Sequence, residues 1–234
     1  MRQQQIIQWL PLEVALFGLL AGWLAVGLMR GLSAGPLLET RPSLVMDVGV
    51  QVQSVVAEAD PPVNLLSAVF TPEVQHWAPE IVEWAGQVGV DPNLAATVMQ
   101  IESCGDPQAV SPSGAQGLFQ VMPFHFEPGE AMQDPDTNAR RGLAYLALGL
   151  ERAGGQVGLA LAGYNGGHSQ IGRDAALWPE ETRRYYYWGA EIYQAASSGL
   201  ASSERLDEWL AAGGASLCSQ AADRLGLAPQ NQLP

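Results

Sequence analysis

The sequence has few of the side chains that bind metal ions or nucleic acids. It contains two cysteines and three histidines in 234 residues, and His76, His125 and His168 lack the spacing of a metal site. Lys and Arg number 11 against 24 Asp and Glu, for a formal net charge of −13. Because phosphates are bound mainly by Lys and Arg, this balance argues against nucleic acid. We therefore expect no metal ion, no cofactor and no nucleic-acid partner.

Strand patterns are nearly absent after residue 72, whereas apolar residues recur at helical spacing. Ile81, Trp84, Ala85 and Val88 lie three or four residues apart, and Gly89 is a typical helix end. The chain is 47% hydrophobic, which is enough for one domain with a core. The sequence therefore predicts an all-α globular domain.

The next predicted helix ends at a glutamate. Asp91 and Pro92 are a typical N-cap and first helical residue, and an apolar stripe through Val98 and Ile101 leads to Glu102. Burial and the helix dipole both disfavour an anion at this position, because it lies at the edge of the buried face near the helix carboxyl end. We therefore expect Glu102 to keep its proton near neutral pH and to serve as a general acid. A solvated glutamate at the helix end is the alternative.

The amino-terminal residues contain a long run without charge. The run from Val14 to Met29, extended by Ile6 to Leu12, reaches the ~20 residues that a membrane-spanning helix needs. We expect residues 1–30 to be a signal anchor that holds the protein at the outer face of the cell membrane. A cleaved signal peptide and a secreted protein are the alternative, because small residues follow in GLSAGP.

The rest of the chain divides by composition. Residues 31–71 contain Gly, Ser and Pro without a helical period, which predicts a linker. Residues 72–198 hold the main helical domain, and residues 199–226 form a predicted C-terminal helical extension. The last residues, 227–234, are predicted to be disordered.

Four short motifs, in this order, resemble those of a known family. They are Glu102-Ser103, GAQGLFQVMP from Gly114 to Pro123, AGYNGG from Ala162 to Gly167, and ETRRY from Glu181 to Tyr185. Residues from about 73 to 196 resemble the lysozyme-like SLT domain of the soluble lytic transglycosylases, which is related to goose-type lysozyme. The order and spacing of all four motifs make the resemblance specific. Cys104 departs from it, because the family often has glycine or another small residue there.

The resemblance implies a lytic transglycosylase that cleaves the β-1,4 bond between N-acetylmuramic acid and N-acetylglucosamine in peptidoglycan. It makes Glu102 the catalytic acid, and it implies a set of substrate-binding residues: Ser111, Gln120, Met122, Tyr164, Asn165 and Tyr185. The motifs supply no second carboxylate, so Glu102 is expected to act first as acid and then as base, leaving a 1,6-anhydromuramyl end. A lysozyme-type hydrolase and a non-catalytic, membrane-tethered wall-binding module are the alternatives.

The expected partners are peptidoglycan glycan strands and, through the N-terminal helix, the cytoplasmic membrane. We expect the protein to be a monomer. Its two cysteines, Cys104 and Cys218, form an even pair in a chain predicted to be exported, which predicts a disulfide. Two separate buried thiols are the alternative. A bridge would fix the C-terminal extension to the loop that follows Glu102.

Overall fold

The structure is a computed structural model that describes residues 66–227, so the predictions for the N-terminal membrane helix, for most of the linker and for the tail lie outside the described residues. Within residues 66–227, eight α-helices follow one another: α1 (Pro72–Gln75), α2 (Ala78–Val88), α3 (Pro92–Glu102), α4 (Pro135–Arg152), α5 (Val157–Gly166), α6 (Glu180–Ser197), α7 (Glu204–Trp209) and α8 (Ala215–Leu225). The segment Leu210–Gly214 joins α7 to α8 through a kink at Gly213, whose φ of 129° is not helical. Short 3-10 turns lie at Pro123–His125, His168–Gln170 and Ala175–Leu177.

The prediction of an all-α domain is confirmed for the part of the chain that the structure describes. The β-pairing in that part is limited to two isolated bridges, which pair Val110 with Gln116 and Gln116 with Val121. None of the helices between residues 66 and 227 combines the length and apolar character that crossing a membrane requires.

Helix α3 lies at the centre of the domain. Every residue from Leu94 to Gln100 is buried, as expected for a helix enclosed on all sides. Helix α3 packs against α2 and α6, and α5 packs between α4 and α6. The predicted N-cap is present, since the Asp91 carboxylate accepts a hydrogen bond from the Asn93 N–H at 2.7 Å. This packing leaves Glu102, the last residue of α3, half-buried at the edge of the core.

The end of the predicted linker, residues 66–71, belongs to the core, so the linker prediction is wrong there. Leu66, Val69 and Phe70 are all buried. The backbone N–H of Thr71 donates a hydrogen bond to the Gln100 side chain at 3.1 Å. The segment is irregular and is held by side chains from α3, which is why no helical period marked it in the sequence.

The predicted disulfide joins Cys104 to Cys218 and connects α8 to the loop after α3. The two α-carbons lie 4.9 Å apart, and 114 residues separate them in sequence. The Gln100 side chain is buried beside the disulfide, and its amide N–H donates a hydrogen bond to the Cys104 sulfur at 3.1 Å. The C-terminal extension is therefore fixed covalently to the segment that carries Glu102.

Candidate active site

The chain turns sharply after Glu102. Cys104 and Gly105 have φ values of 50° and 86°, so both adopt the left-handed conformation that favours glycine. A Cβ at Gly105 would collide with the backbone carbonyl of Glu73 in α1. The hydroxyl of Ser103 is buried and donates to the Leu118 carbonyl at 2.7 Å. Ser103 therefore fixes the end of α3 to the loop of the second motif.

A buried asparagine on α4 holds that loop in place. The Asn138 Oδ1 accepts from the Phe119 N–H at 2.8 Å, and its Nδ2 donates to the Gln116 carbonyl at 2.7 Å. A Cβ at Gly117 would lie 2.6 Å from the Asn138 Nδ2, so only glycine allows this approach. The sequence analysis missed Asn138, although a polar residue on the buried face of a predicted helix is a usable signal.

Burial raises the pKa of the Glu102 carboxyl from 4.5 to about 8. The neighbouring Tyr185 hydroxyl opposes this increase, and the negative charge of Glu181 adds to it. Tyr185 is 5% exposed, and its hydroxyl forms no well-aligned hydrogen bond with any described residue. Glu102 is therefore protonated at neutral pH and has a phenolic donor beside it.

Two cavities meet at Asn165. The first, here called the aromatic pocket, has a volume of about 140 Å³ and is lined by Gln120, Val121, Met122, Phe124, His125, Gly142, Tyr145, Tyr164, Asn165 and Gly167. The second, here called the α6 groove, has a volume of about 560 Å³ and is lined by Ile101, Glu102, Asn165, Glu181, Arg184, Tyr185, Trp188, Trp209 and Ala212. The Asn165 Oδ1 accepts from the Thr182 hydroxyl at 2.9 Å, which orients its amide group.

Aromatic rings form a continuous series through the first cavity. The centroid of Tyr145 lies 4.6 Å from that of His125, 4.0 Å from that of His168 and 5.7 Å from that of Tyr164. Burial lowers the pKa of both histidines, so both are neutral near pH 7. The Tyr164 hydroxyl donates to the Phe119 carbonyl at 2.7 Å, which joins the third motif to the second. The pocket thus presents flat apolar faces with polar edges.

Five of the six predicted substrate-binding residues line one of the two cavities: Gln120, Met122, Tyr164, Asn165 and Tyr185. Ser111 lines neither cavity, and its hydroxyl accepts a hydrogen bond from the Ala115 N–H at 3.0 Å within the loop. The Gln120 amide donates to the carbonyls of Ala109 and Gly117, so it also supports the loop.

The sequence analysis missed five ring-bearing residues that line the cavities: Phe124, His125, Tyr145, Trp188 and Trp209. For Tyr145 the sequence offered a partial signal, namely a glycine, Gly142, one turn earlier on the same helix, because a glycine inside a helix often marks a close approach of another group. A Cβ at Gly142 would lie 3.0 Å from the Tyr164 hydroxyl, so this glycine makes room for the tyrosine. Trp209 gave no local signal, because it reaches the α6 groove only through the fold of the extension.

One group of possible metal ligands lies near the site. Ligand atoms of Glu73, Cys104 and Cys218 lie within 4.8 Å of one another. Both sulfurs belong to the disulfide, so neither is available as the thiolate that a metal ion binds. This group therefore does not fit a metal site in the oxidised protein.

Part of the chain is similar to known transglycosylases. Residues 80–186 match the transglycosylase SLT domain. The chain is 37% identical to a transglycosylase of Enterobacteria phage PRD1, over 47% of this chain and 40% of the phage protein. It is 37% identical to the endo-type membrane-bound lytic murein transglycosylase A of Klebsiella pneumoniae, over 34% of this chain and 48% of that protein.

A Salmonella paratyphi B protein of the same description is 36% identical, over 38% of this chain and 49% of its own length. The chain thus spans less than half the length of these curated relatives. A solved structure of an inactive variant of lytic transglycosylase Slt from Pseudomonas aeruginosa aligns with a TM-score of 0.38 and 22% identity. That alignment covers 63% of this chain and 24% of the Slt chain.

Proposed function

We propose that the chain, whose residues 80–186 match the transglycosylase SLT domain, is a peptidoglycan lytic transglycosylase. The substrate is the glycan strand, cleaved between N-acetylmuramic acid and N-acetylglucosamine. The observation that carries the proposal is the position of Glu102. Glu102 is half-buried at the end of α3, its carboxyl has a pKa of about 8, and it lines the groove that meets the aromatic pocket at Asn165.

The chemistry requires one carboxyl group to act twice. Glu102 donates its proton to the bridging oxygen, and the bond between that oxygen and C1 of the muramyl sugar breaks. The acetamido oxygen of the same sugar stabilises the positive charge at C1, as in substrate-assisted glycosidases. The Glu102 carboxylate then takes the proton of the 6-hydroxyl while that oxygen closes on C1. The protons balance, no water is consumed, and Glu102 is protonated again.

A raised pKa suits both steps. At neutral pH the buried carboxyl holds the proton that the leaving group needs. Once it is ionised, the same carboxylate is a stronger base than a solvated glutamate, because burial disfavours its charge. The Tyr185 hydroxyl, which is buried beside it without another described partner, donates to the anion that exists between the two steps.

The α6 groove contains one further carboxylate, Glu181, among the residues that line it. A hydrolase of the lysozyme type needs a second acidic group to activate water or to bind the cation. Glu181 is exposed and lies in the first turn of α6, where it acts on Glu102 by raising its pKa. We therefore favour the lyase reaction over the hydrolase.

Product analysis tests this proposal. Purified sacculi are incubated with the protein, and the released muropeptides are measured by mass spectrometry. We expect anhydromuramyl ends, which are lighter than reducing ends by one water. Reducing ends alone would establish a hydrolase, and no release by folded protein would favour a binding module.

We also propose that the enzyme works outside the cytoplasm at the cell membrane. Two of the relatives are described as membrane-bound, and the charge-free run before residue 30 supplies a candidate anchor. Fractionation of cells that express the full chain checks this, with the protein expected in the membrane fraction. A soluble periplasmic form trimmed near residue 35 would support signal cleavage instead.

A further inference from the structure

The backbone conformation at Cys104 is unusual for a residue that has a side chain. Its φ is 50°, and within residues 66–227 the other non-glycine residue with a positive φ is Gln120. A Cβ disfavours this left-handed conformation, so non-glycine residues adopt it where their surroundings hold them in it. Gln120 lines the aromatic pocket, and Cys104 closely follows Glu102 in sequence. Both exceptions therefore lie at the candidate active site.

Cys104 occupies the position at which helices most often have glycine. Helix α3 ends at Glu102, Ser103 is its C-cap, and Cys104 is the next residue. A left-handed residue just after the C-cap is a common way for a helix to end, and it is usually glycine because glycine has no Cβ. Helix α2 ends in this way at Gly89, whose φ is 69°. Cys104 therefore does what a glycine would do, but it needs other contacts to do so.

The side chain of Cys104 is held by a disulfide and by two polar neighbours. The bridge joins it to Cys218 on α8. Its sulfur accepts a hydrogen bond from the Gln100 amide at 3.1 Å and lies 3.3 Å from the Thr71 hydroxyl. Cys104 itself is fully buried. The covalent bond to α8 therefore holds a residue whose own backbone preference would be different.

Helix α8 contacts the same loop at two further points. The Arg224 guanidinium lies 3.5 Å from the Asp106 carboxylate and donates to the Gln108 side chain at 2.8 Å. Together with the bridge at Cys104, these contacts join α8 to alternate residues of the loop. Helix α8 lies beyond residue 186, where the family match ends. The loop that follows the acid is therefore fixed to a helix that the match does not include.

The conformation of residue 104 determines the direction of the chain after α3. The Ser103 N–H donates to the Met99 carbonyl at 3.1 Å, which completes the last turn of the helix. If residue 104 left the left-handed region, the chain beyond Ser103 would take another direction and the last turn would lose its fixed end. Glu102 belongs to that turn and is already half-buried. A small movement there would expose its carboxyl to water.

We propose that Cys104 is a positioning residue for the catalytic acid. Its bond to Cys218 holds residue 104 in a conformation that otherwise favours glycine, and this conformation keeps the Glu102 carboxyl at the end of α3 out of water. Helix α8 lines neither cavity, so it acts on Glu102 through the turn and without contacting the glycan. The inference rests on the proposed function, because that function makes Glu102 the acid.

Two double variants separate the bridge from the conformation. Cys104→Gly with Cys218→Ser removes the bridge and gives position 104 the residue type that adopts a positive φ readily. Cys104→Ala with Cys218→Ser removes the same bridge and keeps a Cβ there. Because both double variants lack the disulfide, a difference between them comes from the residue at position 104.

The readout is the titration of the Glu102 carboxyl in the full chain, solubilised in detergent and labelled with carbon-13 at its glutamate carboxyls. The NMR signal that is lost in Glu102→Gln identifies the residue. We expect a pKa of about 8 in the parent and a similar value with Cys104→Gly, which rescues the turn. With Cys104→Ala the pKa should be lower by at least about 1, because water reaches the carboxylate. The alkaline fall in kcat/KM should move by the same amount.

Gly89→Ala is the matched control. It adds a Cβ to the left-handed residue that ends α2, where no other atom lies within 4 Å of the new carbon. It should lower the Tm and leave the Glu102 pKa unchanged. Circular dichroism checks that each variant is folded. If the Cys104→Ala double variant does not fold, Cys218→Ser alone replaces it with the same expected decrease, because it keeps the Cβ and loses only the bridge.

Two results would overturn the inference. A Glu102 pKa equal to that of the parent in both double variants would show that the bridge only stabilises the extension. An equal decrease in both would show that the bridge holds the acid by a route other than the conformation of residue 104. The titration needs no catalysis, so it remains decisive if the parent releases no muropeptides. That result would refute the proposed function, whereas the control of the Glu102 carboxyl by Cys104 would be judged from the titration alone.

Discussion

The two cavities that meet at Asn165 are built from different parts of the chain. The aromatic pocket is lined by α4, α5 and the loop of the second motif, all within the matched domain at residues 80–186. The α6 groove adds Trp188, Trp209 and Ala212, which lie beyond it. The matched range therefore includes every residue that lines the aromatic pocket but only some of those that line the α6 groove. The shape of the α6 groove therefore depends on the contacts that hold the C-terminal extension against the domain.

The environment of Glu102 depends on both sides of this division. Tyr164, which lines the aromatic pocket, has its pKa raised by burial and by the charge of Glu102. Tyr185 and Glu181, which line the α6 groove, act on the pKa of Glu102 in opposite directions. Variants can therefore be grouped by whether they change Glu102 itself, the α6 groove or the aromatic pocket.

The largest effect is expected for the acid that the proposed mechanism requires. Glu102→Gln keeps the size of the side chain but cannot donate the proton, so muropeptide release should fall at least 100-fold. The variant should remain folded by circular dichroism, because an uncharged amide suits this buried position. Release within tenfold of the parent would rule out a single-acid mechanism and remove the reason to treat the two cavities as one site.

The next largest effect separates the groove from the pocket. Cys218→Ser opens a loop closed over 114 residues, and the loop-entropy relation assigns such a bridge about 4–5 kcal/mol of stability. We expect a lower Tm and weaker glycan binding, because the wall of the α6 groove loses its covalent link. A reducing agent should lower the Tm of the parent and leave that of Cys218→Ser unchanged. An unchanged Tm in the variant would show that the other contacts suffice to hold α8.

The pKa of Glu102 predicts how stability changes with pH. Between 4.5 and about 8, the folded protein holds a proton that the unfolded chain releases. The free energy of unfolding contributed by this group therefore falls as pH rises through that range, and it levels off above it. Glu102→Gln lacks this loss, so its stability relative to the parent should increase by at least about 2 kcal/mol from pH 4.5 to 8. A constant difference across denaturant titrations at several pH values would show that the carboxyl is not buried.

The residues that could be predicted from the sequence are those with local signals. Asp91 and Gly89 mark the helix boundaries around α3, and the apolar stripe predicted that Glu102 would be desolvated. The count of cysteines in a chain expected to be exported predicted the bridge between Cys104 and Cys218. Each of these predictions depends on neighbours in sequence or on a simple count, so no knowledge of the fold was needed.

The remaining residues have positions that only tertiary packing determines. Trp209 reaches the α6 groove because Gly214 leaves room for its ring. Tyr145 belongs to the aromatic pocket because the packing of α5 on α4 places Tyr164 beside it. Leu66 and its neighbours joined the core through irregular structure, which has no periodicity to detect.

A smaller effect is expected from the rim of the aromatic pocket. Phe124 is 75% exposed yet lines this cavity, so Phe124→Ala should leave stability within about 0.5 kcal/mol of the parent. We expect KM for glycan strands to increase about 3- to 10-fold with little change in kcat, since an aromatic contact contributes about 1 kcal/mol. Leu177→Ala is the control, because Leu177 is 60% exposed and lines neither cavity. Equal KM values would remove Phe124 from the binding surface.

The smallest effect is expected for Glu181, and it distinguishes the two reactions that the groove allows. The charge of Glu181 raises the pKa of Glu102 less than burial does. Glu181→Gln should therefore move the alkaline fall in kcat/KM to lower pH by less than about one unit, and activity at pH 6 should stay within about threefold of the parent. Glu151→Gln is the control, because Glu151 is exposed and lines neither cavity. A 100-fold loss, together with reducing ends in the residual product, would instead identify Glu181 as the second carboxylate of a hydrolase.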